Sequence, residues 1–576
     1  MVHRFETLVI GSGLAGLSAA IEASRRGPVA VIAKLYPTRC HSSAAQGGIA
    51  AALGNEEPDS PEWHVYDTVK GGDYLTDQDA AQTLCEDAIN TVVRLEHLGV
   101  PFSRTPQGKI AQRRFGGHTR EFGAAPVRRA CYSADRTGLA IVNTLYEQCE
   151  RQPVTFFSEY HVLDVVIEEG RCLGAVAMEL RTGELCVFEA GSTIIATGGY
   201  GRVFKTTSNA MASTGDLLGI LYSKGMPLED MEFFQFHPTG LFGLGILVTE
   251  GARGEGGVLV NGKGETFMER YAPTIKDLAP RDMVSRAIIT EIKEGRGIGG
   301  NDYVYLDLRN VPKKTLEARL PEIMTFCKIY MGIDPSQSPI PVVPTAHYAM
   351  GGIPTDLDGR VLSGPDGAVI EGLFAAGECA CVSVHGANRL GCNSLLDTVV
   401  FGGRAGKLAS QSKDKSGPGI PADALEHSRE MISALLNSKG GKGGERAGAI
   451  KKELQELMMD KCSVFRDEAG LKAAAREMDS IKERVKNLSL DDKGKKFNTE
   501  LLDAIETAHL VNIAEAIVHS ALKRTESRGA HCRQDYPERD DKNWLKHTFI
   551  KKTDGGISFS YKPVSITRFK PQKRQY

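Results

Sequence analysis

A short apolar run, a glycine-rich turn and an alanine-rich stretch follow one another at the start of the chain. The segment TLVIGSGLAGLSAAIEASRRG predicts a strand, a turn and a helix, and VAVIAK predicts a second strand. Gly11, Gly13 and Gly16 occupy the G-x-G-x-x-G pattern, where glycines permit a tight turn, close approach to a pyrophosphate and close packing of helix on strand. The pattern predicts a βαβ dinucleotide-binding unit, with the phosphates at the helix N-terminus.

The end of the second predicted strand departs from the fingerprint of NAD-binding units. Those units carry an acidic residue there, which binds the ribose hydroxyls, whereas this chain has Lys34. The lysine disfavours an ordinary NAD site. It leaves FAD, or an altered contact to the adenosine, as the prediction for this unit.

Three later segments resemble further parts of the same cofactor domain. STIIATGGYG is an apolar strand that runs into Gly198 and Gly199, GLFAAGECA is a strand that runs into Gly377 and Glu378, and NSLLDTVVFGGRAG is a helix with small residues on one face. Strands that end in glycine-rich turns place ligands at the carboxyl edge of a parallel sheet. Each segment alone could be an ordinary α/β connection, but together with the first unit they favour one large cofactor.

A second group of segments is rich in histidine and arginine beside glycine, proline and other small residues. Such neighbours predict loops, where binding residues concentrate. Several cations in one pocket would suit a small dicarboxylate, because arginine binds a carboxylate through a planar two-pronged contact. Taken singly, each residue could be structural, and the sequence does not establish that they converge. The residues are His237 in FQFHPTG, Thr249, Glu250 and Arg253 in ILVTEGARGEGG, Arg281 and Arg286 in LAPRDMVSR, His347 in PTAHYAMGG, and His385 and Arg389 in HGANRLGCNSLLD.

Composition limits the class of protein. The 576 residues suggest about three to four domains, and a net charge of −2 gives no indication of nucleic acid or an anionic membrane surface as a partner. No apolar run reaches the roughly 18 residues of a membrane-spanning helix, and no signal peptide is expected ahead of the first strand. The 12 cysteines include no C-x-x-C pair, so neither a zinc ribbon nor an iron–sulfur cluster is predicted, and no metal site is expected.

With these residues in view, the chain resembles the flavoprotein subunits of succinate dehydrogenase and fumarate reductase, from about residue 5 to about residue 547. The matching segments occur in the family's order and at its spacing, which makes the set far more specific than any single motif. They are GSGLAGLSAA, RCHSSAAQGGIAA, DTVKGGD, ADRTG, IIATGGYGRVF, FQFHPTG, TEGARGEGG, RDMVSR, HYAMGG, GANRLGCNSLLD and ESRGAHCRQDYPERDD.

The resemblance implies a role for each matched position. His41 would carry FAD through a covalent bond from an imidazole nitrogen to the 8α carbon of the flavin, and Arg281 would move a proton to or from carbon with Glu250 and Arg253 as its relay. The two carboxylates of the substrate would be held by His237, Thr249, His347 and Arg389. The residues that would contact FAD are Gly11, Ser12, Gly13, Leu14, Ala15, Gly16, Lys34, His41, Ser42, Gly47, Gly48, Asp216, Glu378, Arg389, Ser394 and Leu395.

The implied reaction interconverts succinate and fumarate. A hydride would be exchanged with flavin N5 while a proton is exchanged at the neighbouring carbon. From the residues alone we would choose His237 or His347 for the proton, because efficient acid–base catalysis favours a group that titrates near ambient pH. The assignment to Arg281 therefore rests on the resemblance.

Three positions depart from the family's pattern. Cys40 precedes the flavin-linked histidine, where serine or threonine is usual, Leu217 changes the usual TGDG to TGDL, and Pro280 changes ASRD to APRD. None of the three removes a group that has an implied role. The covalent link through His41 therefore remains the expectation.

The resemblance also implies the architecture. We expect an α/β FAD-binding domain of the Rossmann-like, glutathione-reductase type, with an inserted α+β capping domain and a C-terminal helical domain. The FAD-binding domain would be split between residues 1–237 and 345–415, with the capping domain at 238–344. Helical periodicity, as in IKKELQELMMDKCSVF, places the helical domain at 425–545, and an extended C-terminal tail with the basic end KPQKRQY would follow at 546–576.

Partners and alternatives complete the hypothesis. The family implies an iron–sulfur protein subunit and a cytochrome b membrane anchor, which would hold the chain on the cytoplasmic side of the cell inner membrane in a quinone-linked respiratory complex. One alternative is an L-aspartate oxidase-like flavoenzyme, which shares AQGGIAA but typically lacks the flavin-linked histidine, so His41 argues against it. The other is a flavin electron-transfer module without substrate chemistry, and the set of substrate residues argues against that.

Overall fold

The computed structural model of the chain describes residues 1–412, 419–438 and 444–575. In chain order the strands are β1 (Val2–Ile10), β2 (Val29–Ala33), β3 (Ile49–Ala50), β4 (Gln112–Arg120), β5 (Ala125–Cys131), β6 (Val154–Ser158), β7 (Tyr160–Glu168), β8 (Arg171–Glu179), β9 (Leu185–Ile195), β10 (Leu228–Glu229), β11 (Phe234–Leu241), β12 (Val258–Val260), β13 (Val304–Asp307), β14 (Ile340–Ala349), β15 (Ile353–Pro354), β16 (Arg360–Leu362), β17 (Val369–Ala375), β18 (Ala380–Cys381), β19 (Lys546–Thr553) and β20 (Gly556–Pro563). The α-helices are α1 (Leu14–Ala23), α2 (Pro61–Gly71), α3 (Gln78–Leu98), α4 (Thr137–Glu150), α5 (Asp216–Ser223), α6 (Gly251–Gly254), α7 (Met268–Tyr271), α8 (Arg281–Glu291), α9 (Lys313–Arg319), α10 (Pro321–Phe326), α11 (Asn393–Ala409), α12 (Ala422–Leu436), α13 (Ala447–Lys461), α14 (Glu468–Val485), α15 (Thr499–Lys523) and α16 (Asp541–Trp544).

A parallel sheet forms the centre of the molecule, with its strands in the order β17–β9–β1–β2–β6. The continuous apolar sequence of β2, VAVIA, is typical of a strand covered on both faces, and all of its residues are buried. On one face α1 packs against α11. A Cβ on Gly402 of α11 would lie 2.5 Å from the carbonyl oxygen of Ala15 in α1, and a Cβ on Gly406 would lie 2.2 Å from that of Ala19. The small residues that mark this helix in the sequence therefore permit the close contact.

The carboxyl ends of the parallel strands meet at one edge of the sheet. β1 ends before Gly11, β2 ends before Lys34, and β17 runs toward Gly377 and Glu378. β9 runs toward Gly198 and, through its first half, also joins an antiparallel meander with β7 and β8. The predicted Rossmann-like domain and its strand-to-glycine turns are therefore confirmed, and the turns are gathered where ligands bind in such sheets.

An antiparallel sheet in the order β11–β14–β13–β12 forms a second unit. α8 packs on β11 and β14, and buried residues such as Leu259, Val284 and Leu306 give this unit a core of its own. The expected α+β insertion is present. β11 and β14 pair with each other and cross the proposed limits of 238–344 at both ends, so these limits remain a proposed division.

The helical segment lies against the FAD-binding part. α13, α14 and α15 pack on one another, and α15 also packs on α5. Within the described ranges, no helix has both the length and the hydropathy to cross a bilayer. The parts of the proposed domains that fall on residues 413–415, 439–443 and 576 lie outside the described residues.

The C-terminal segment differs from the prediction. Residues 546–563, expected in an extended tail, form the antiparallel hairpin β19–β20, and β19 also pairs with β10. Thr548, Phe549 and Ile550 are buried. The prediction was wrong here because β-branched and aromatic residues flank a glycine-containing turn at residues 554–555, which is a hairpin signal that outweighs the basic residues nearby. The following residues, 564–575, contain neither helix nor strand.

Candidate active site

A cavity of about 670 Å³ begins at the turn between β1 and α1 and continues to residues of β11, β14 and α8. All of the predicted site residues except Gly16 and Arg253 line it. The lining residues are Gly11, Ser12, Gly13, Leu14, Ala15, Lys34, His41, Ser42, Gly47, Gly48, Asp216, His237, Thr249, Glu250, Arg281, His347, Glu378, Arg389, Ser394 and Leu395. The structure therefore brings together segments that are more than 300 residues apart in the chain. Of the other two predicted cations, His385 bonds to Tyr348 and Arg286 pairs with Asp282.

The turn before α1 forms a cradle suited to a dinucleotide. Gly11 has a φ of +113°, and a Cβ there would lie 2.2 Å from the carbonyl oxygen of Ala196, so only glycine fits. α1 begins at Leu14 without a side-chain cap from Gly13, which leaves N–H groups and the positive end of the helix dipole at the cavity. A Cβ on Gly16 would lie 1.9 Å from the carbonyl oxygen of Gly11, so this glycine permits packing behind the cavity wall. These features fit the phosphates of FAD.

Lys34 is tied to two carboxylates at the same end of the cavity. Its Nζ donates to Asp216 Oδ2 at 2.8 Å, to Glu506 Oε1 at 2.6 Å and to Thr214 Oγ1 at 2.8 Å. Burial alone would raise the pKa of Asp216, but Lys34 holds it below its usual value, so the carboxylate stays ionised. Asp216 therefore provides, beside the end of β2, the acidic group that the sequence lacks at position 34.

His41 lies in a short 3₁₀ turn, His41–Ala44, after β2. Its Nδ1 accepts a hydrogen bond from the backbone N–H of Ala210 at 3.2 Å, and its Nε2 lies 3.4 Å from the Asn209 side-chain amide nitrogen. Burial lowers the pKa of His41 to about 4. The imidazole is therefore neutral near pH 7 and keeps the lone pair that any bond to carbon would require.

Arg281 is the first residue of α8, and it lines the cavity. Its Nε donates to Glu250 Oε2 at 2.7 Å, and a terminal nitrogen donates to Gln235 Oε1 at 3.0 Å. Arg253 lies behind Glu250, with a terminal nitrogen 3.8 Å from Oε1, and it also donates to the carbonyl oxygen of Asp277. Burial alone would raise the pKa of Glu250, but Arg281 and Arg253 hold it below its usual value. One buried carboxylate thus lies between two guanidinium groups.

Arg389 has donors left for a ligand. Its guanidinium lies 4.2 Å from the centroid of the Tyr348 ring, and a terminal nitrogen lies 3.3 Å from Gln235 Oε1. Its Nε has no hydrogen-bond partner among the described residues. Burial and the charge of Arg281 lower the pKa of Arg389 to about 10, so it stays protonated at neutral pH. A cation with a free N–H group is suited to an anionic ligand.

His237 and His347 lie beside these arginines, with ring centroids 5.1 Å apart. Burial, together with the charges of Arg281 and Arg389, holds the pKa of both imidazoles well below the usual value, so both rings are neutral. The backbone N–H of Thr239 donates to Nδ1 of His237 at 3.2 Å, which places the ring proton on Nε2. That Nε2 is buried and has no partner in the described part of the chain. It is an unused hydrogen-bond donor.

Several residues of this site were not predicted from the sequence. Gln235 accepts hydrogen bonds from both Arg281 and Arg389, and Ser208 Oγ lies 2.7 Å from His347 Nδ1. Asn209 donates to the carbonyl oxygen of His347 at 2.7 Å. Gln235 could have been found, because it lies two residues before His237 on one strand, where side chains repeat with period two. Ser208 and Asn209 lie in a loop with no such signal.

The fold and the cavity define a class: an FAD-binding protein whose cofactor cavity continues into a buried group of arginines and histidines. Residues 6–395 match the family model described as FAD binding domain, and residues 451–576 match the one described as fumarate reductase flavoprotein C-term. FAD is therefore the cofactor of this fold.

Relatives extend over the full length of the chain. The succinate dehydrogenase flavoprotein subunit of Coxiella burnetii is 47% identical over 588 residues, covering 100% of this chain and 99% of the relative. The corresponding subunit of Rickettsia bellii is 47% identical over 591 residues, covering 100% and 98%. A solved structure of the FrdA subunit of Escherichia coli quinol fumarate reductase has a TM-score of 0.92 and 39% identity, covering 100% of this chain and 99% of that chain. The chain belongs to the family of flavoprotein subunits of succinate dehydrogenase and fumarate reductase.

Proposed function

We propose that this chain is the FAD-dependent catalytic subunit of a membrane-associated, quinone-linked complex that interconverts succinate and fumarate. The observation that carries the proposal is the convergence of Arg281, Arg389, His237 and His347 on one buried cavity that begins at the dinucleotide cradle. A group of cations and neutral donors lining one cavity favours a small dianion. The names of the full-length relatives agree with this substrate class.

The cofactor residues have distinct proposed tasks. The turn at Gly11 and Gly13 and the N-terminus of α1 would hold the pyrophosphate, and Asp216 would bind the ribose. Glu378, which accepts a hydrogen bond from the Ala349 N–H at 3.1 Å, would line the flavin together with Ser394 and Leu395. Burial raises the pKa of Glu378 to about 7, so this carboxyl group is only about half ionised near neutral pH. FAD, when bound, supplies the group that accepts or donates the hydride.

A covalent bond between His41 and the 8α carbon of the flavin is part of the proposal. The neutral imidazole supports it, because a protonated ring has no lone pair to share. The Ala210 N–H donates to Nδ1 and so places the ring proton on Nε2. The bond would therefore form at Nε2 with loss of that proton, and the 8α carbon would lose one hydrogen, its electron pair passing to the flavin ring. Acid precipitation of the FAD-loaded chain tests this feature: yellow flavin should remain in the protein pellet. Flavin released into the supernatant would contradict the bond and would favour an L-aspartate oxidase-like enzyme.

We propose that the substrate is held by its two carboxylates. Arg389 has an unpaired N–H group, and His237 presents an unpaired Nε2–H, so both can donate to carboxylate oxygens. His347 and the hydroxyl of Thr249 line the same part of the cavity. Fixing both ends of a dianion orients the central carbon–carbon bond, and donors aimed at a carboxylate stabilise charge that develops there during proton transfer.

Arg281 is the proposed proton donor and acceptor. The two histidines are less suited to this role, because burial and the neighbouring arginines keep them neutral and depress their pKa. Arg281 can exchange its proton through Glu250, whose Oε2 it contacts at 2.7 Å. Glu250 lies in turn beside Arg253, so the row Arg253–Glu250–Arg281 would relay protons toward the cavity.

The remaining parts of the proposal concern the assembly. The sequence has no C-x-x-C pair and no cluster motif, so electrons are proposed to leave through an iron–sulfur subunit. A cytochrome b subunit is the proposed membrane anchor, holding the chain peripherally on the cytoplasmic side of the cell inner membrane. The proposed domain limits are 1–237 with 345–415, 238–344 and 425–545. Copurification of these two partner subunits with the chain, from membranes and in constant ratio, is the expected result, and a chain isolated alone would contradict it.

A malonate-binding test distinguishes an enzyme with a dicarboxylate site from a protein that only carries electrons. If the cavity holds a dicarboxylate beside FAD, malonate should perturb the flavin absorption spectrum and compete with succinate. A matched monocarboxylate such as propionate should do neither, because it leaves half of the cationic groups unused. A spectrum insensitive to malonate would contradict the dicarboxylate site.

A further inference from the structure

The side chain of Ser208 contacts one of the two substrate-site histidines. Its Oγ lies 2.7 Å from Nδ1 of His347, a short distance for a neutral hydrogen bond. Neither Ser208 nor the bond enters the chemistry described above. The direction of this hydrogen bond decides which nitrogen of His347 carries the ring proton.

The other contacts of Ser208 fix the direction of the bond. Its hydroxyl could otherwise donate only to the carbonyl oxygen of Ala346, at 3.5 Å, among the contacts of the described residues. That oxygen already accepts the N–H of Ser208 at 3.0 Å and the hydroxyl of Thr207 at 2.9 Å. Because a carbonyl oxygen has two lone pairs, both are in use. The hydroxyl of Ser208 therefore donates to His347 Nδ1, and the ring proton lies on Nε2.

The same arrangement occurs at the neighbouring histidine by different means. The backbone N–H of Thr239 donates to Nδ1 of His237 and likewise places that ring proton on Nε2. Both imidazoles are therefore held as Nε2–H donors. A backbone group fixes one of them, whereas a replaceable hydroxyl fixes the other.

We propose that Ser208 is a positioning residue for substrate binding, whose hydroxyl keeps His347 in the tautomer that donates from Nε2 to a carboxylate of the substrate. This inference rests on the proposed function. The alternative tautomer would turn a nitrogen lone pair toward an anionic oxygen, which is repulsive. Without the hydroxyl, a neutral imidazole can adopt either tautomer, and only one of them binds the dianion well.

The loop should keep its shape when the hydroxyl is removed. Thr207 is bonded to Ala346, and Asn209 donates to the His347 carbonyl oxygen and accepts from the N–H of Gly201. None of these bonds involves the side chain of Ser208. Ser208→Ala therefore removes one donor from a loop that is fixed on both sides, and Ser208→Thr keeps the donor.

The experiment compares steady-state kinetics of the FAD-loaded full-length chain and its variants, with succinate and an electron-accepting dye. Ser208→Ala should raise KM about three- to tenfold, as the loss of one hydrogen bond in substrate binding would, with kcat within about twofold. Ser208→Thr should restore KM. Ser192→Ala, which removes a buried hydroxyl bonded to the carbonyl oxygen of Ala409, changes no residue that lines the cavity and should leave both constants unchanged.

Two outcomes would overturn the inference. A KM for Ser208→Ala equal to that of the wild type would show that the tautomer needs no help from the hydroxyl. Equal losses in Ser208→Ala and Ser208→Thr, accompanied by loss of flavin, would indicate a structural role instead. A failure of the proposed function itself has a different signature, because the FAD-loaded wild-type chain would then show no turnover of succinate.

Discussion

Arg281 and Glu250 form a direct pair in the wall of the cavity: the Nε of the arginine donates to Oε2 of the glutamate at 2.7 Å. The second oxygen of the same carboxylate accepts from the backbone N–H of Gly116 at 2.6 Å. Glu250 is therefore held in place from two sides. Its charge offsets that of two buried guanidinium groups, those of Arg281 and Arg253.

Replacing Glu250 by glutamine should distinguish the effect of its charge from the effect of the shape of its side chain. Glu250→Gln is close to isosteric but leaves the two guanidinium groups without their shared anion and interrupts the proposed relay. We expect kcat to fall about 10²- to 10³-fold while FAD stays bound. Glu179→Gln, in an exposed pair with Arg181, is the control and should change neither quantity. A Glu250→Gln variant with the kcat of the wild type would contradict the relay.

Gln235 should matter because one oxygen serves two arginines. Its Oε1 accepts from Arg281 at 3.0 Å and lies 3.3 Å from a terminal nitrogen of Arg389. Gln235→Met has a similar length but no acceptor, so both guanidinium groups should lose their fixed orientation. We expect kcat/KM for succinate to fall at least about tenfold, since two positioned groups are affected. The amide nitrogen of Gln235 also donates to Asn388 Oδ1 and to the carbonyl oxygen of Arg389, and both variants lose these two bonds. Gln235→Glu still keeps the acceptor for the arginines and should retain more activity than the methionine variant. Equal activity of the two variants would argue against this role.

Lys34 should be needed for stability as well as for cofactor binding. Lys34→Met would leave Asp216 and Glu506 buried beside each other without the cation that joins them. Breaking a buried ion pair in this way typically costs about 3–5 kcal/mol. Calorimetry should therefore show a lower Tm and lower FAD content, whereas Lys34→Arg should lose much less of either. Unchanged Tm in Lys34→Met would contradict the ion-pair account of this position.

Loss of the proton from His547 should lower the stability of the fold at alkaline pH. It lies on β19, with Nδ1 2.6 Å from Asp230 Oδ2 and Nε2 3.1 Å from Asp77 Oδ1. Burial alone would lower its pKa, but the two carboxylates raise the pKa of His547 to about 10. The folded chain then binds this proton more tightly than the unfolded chain does. The stabilising contribution is fully present below the unfolded pKa of about 6.5 and is lost as the pH rises through about 10.

The measurement is Tm as a function of pH for the wild type and for His547→Gln. The wild-type Tm should decline between about pH 7 and pH 10, and the variant should have a lower Tm at pH 7 with a shallower decline. Parallel curves for the two proteins would show that His547 is not the group responsible.

The sequence predicts the local secondary structure of this protein better than the contacts between distant segments. The βαβ unit was predictable, because Gly11 and Gly16 have steric reasons to be glycine that any dinucleotide turn shares. The strand-to-glycine turns at Gly198 and Gly377 were predictable because both residues adopt a positive φ, a conformation that favours glycine. The hairpin β19–β20 could also have been predicted from the sequence, since its β-branched and aromatic residues and its turn are local signals.

The contents of the site depend on contacts between distant segments, which local patterns do not encode. Lys34 forms ion pairs with Asp216, 182 residues away in the chain, and with Glu506, 472 residues away. Ser208 reaches His347 across 139 residues. No periodicity predicts such pairs, and only the resemblance to a family placed His41, Arg281 and Arg389 in a single site. Their roles stay predictions, whereas their convergence on one cavity is a feature of the structure.

Turnover of the FAD-loaded full-length chain in both directions tests the central claim most directly. The assay pairs succinate with an electron-accepting dye, and fumarate with the reduced form of a dye, for the wild type and for Arg281→Lys. We predict turnover by the wild type in both directions, and a loss of at least about 10²-fold in Arg281→Lys with its flavin retained. A wild-type chain that carries its full content of FAD but converts neither succinate nor fumarate would contradict the account.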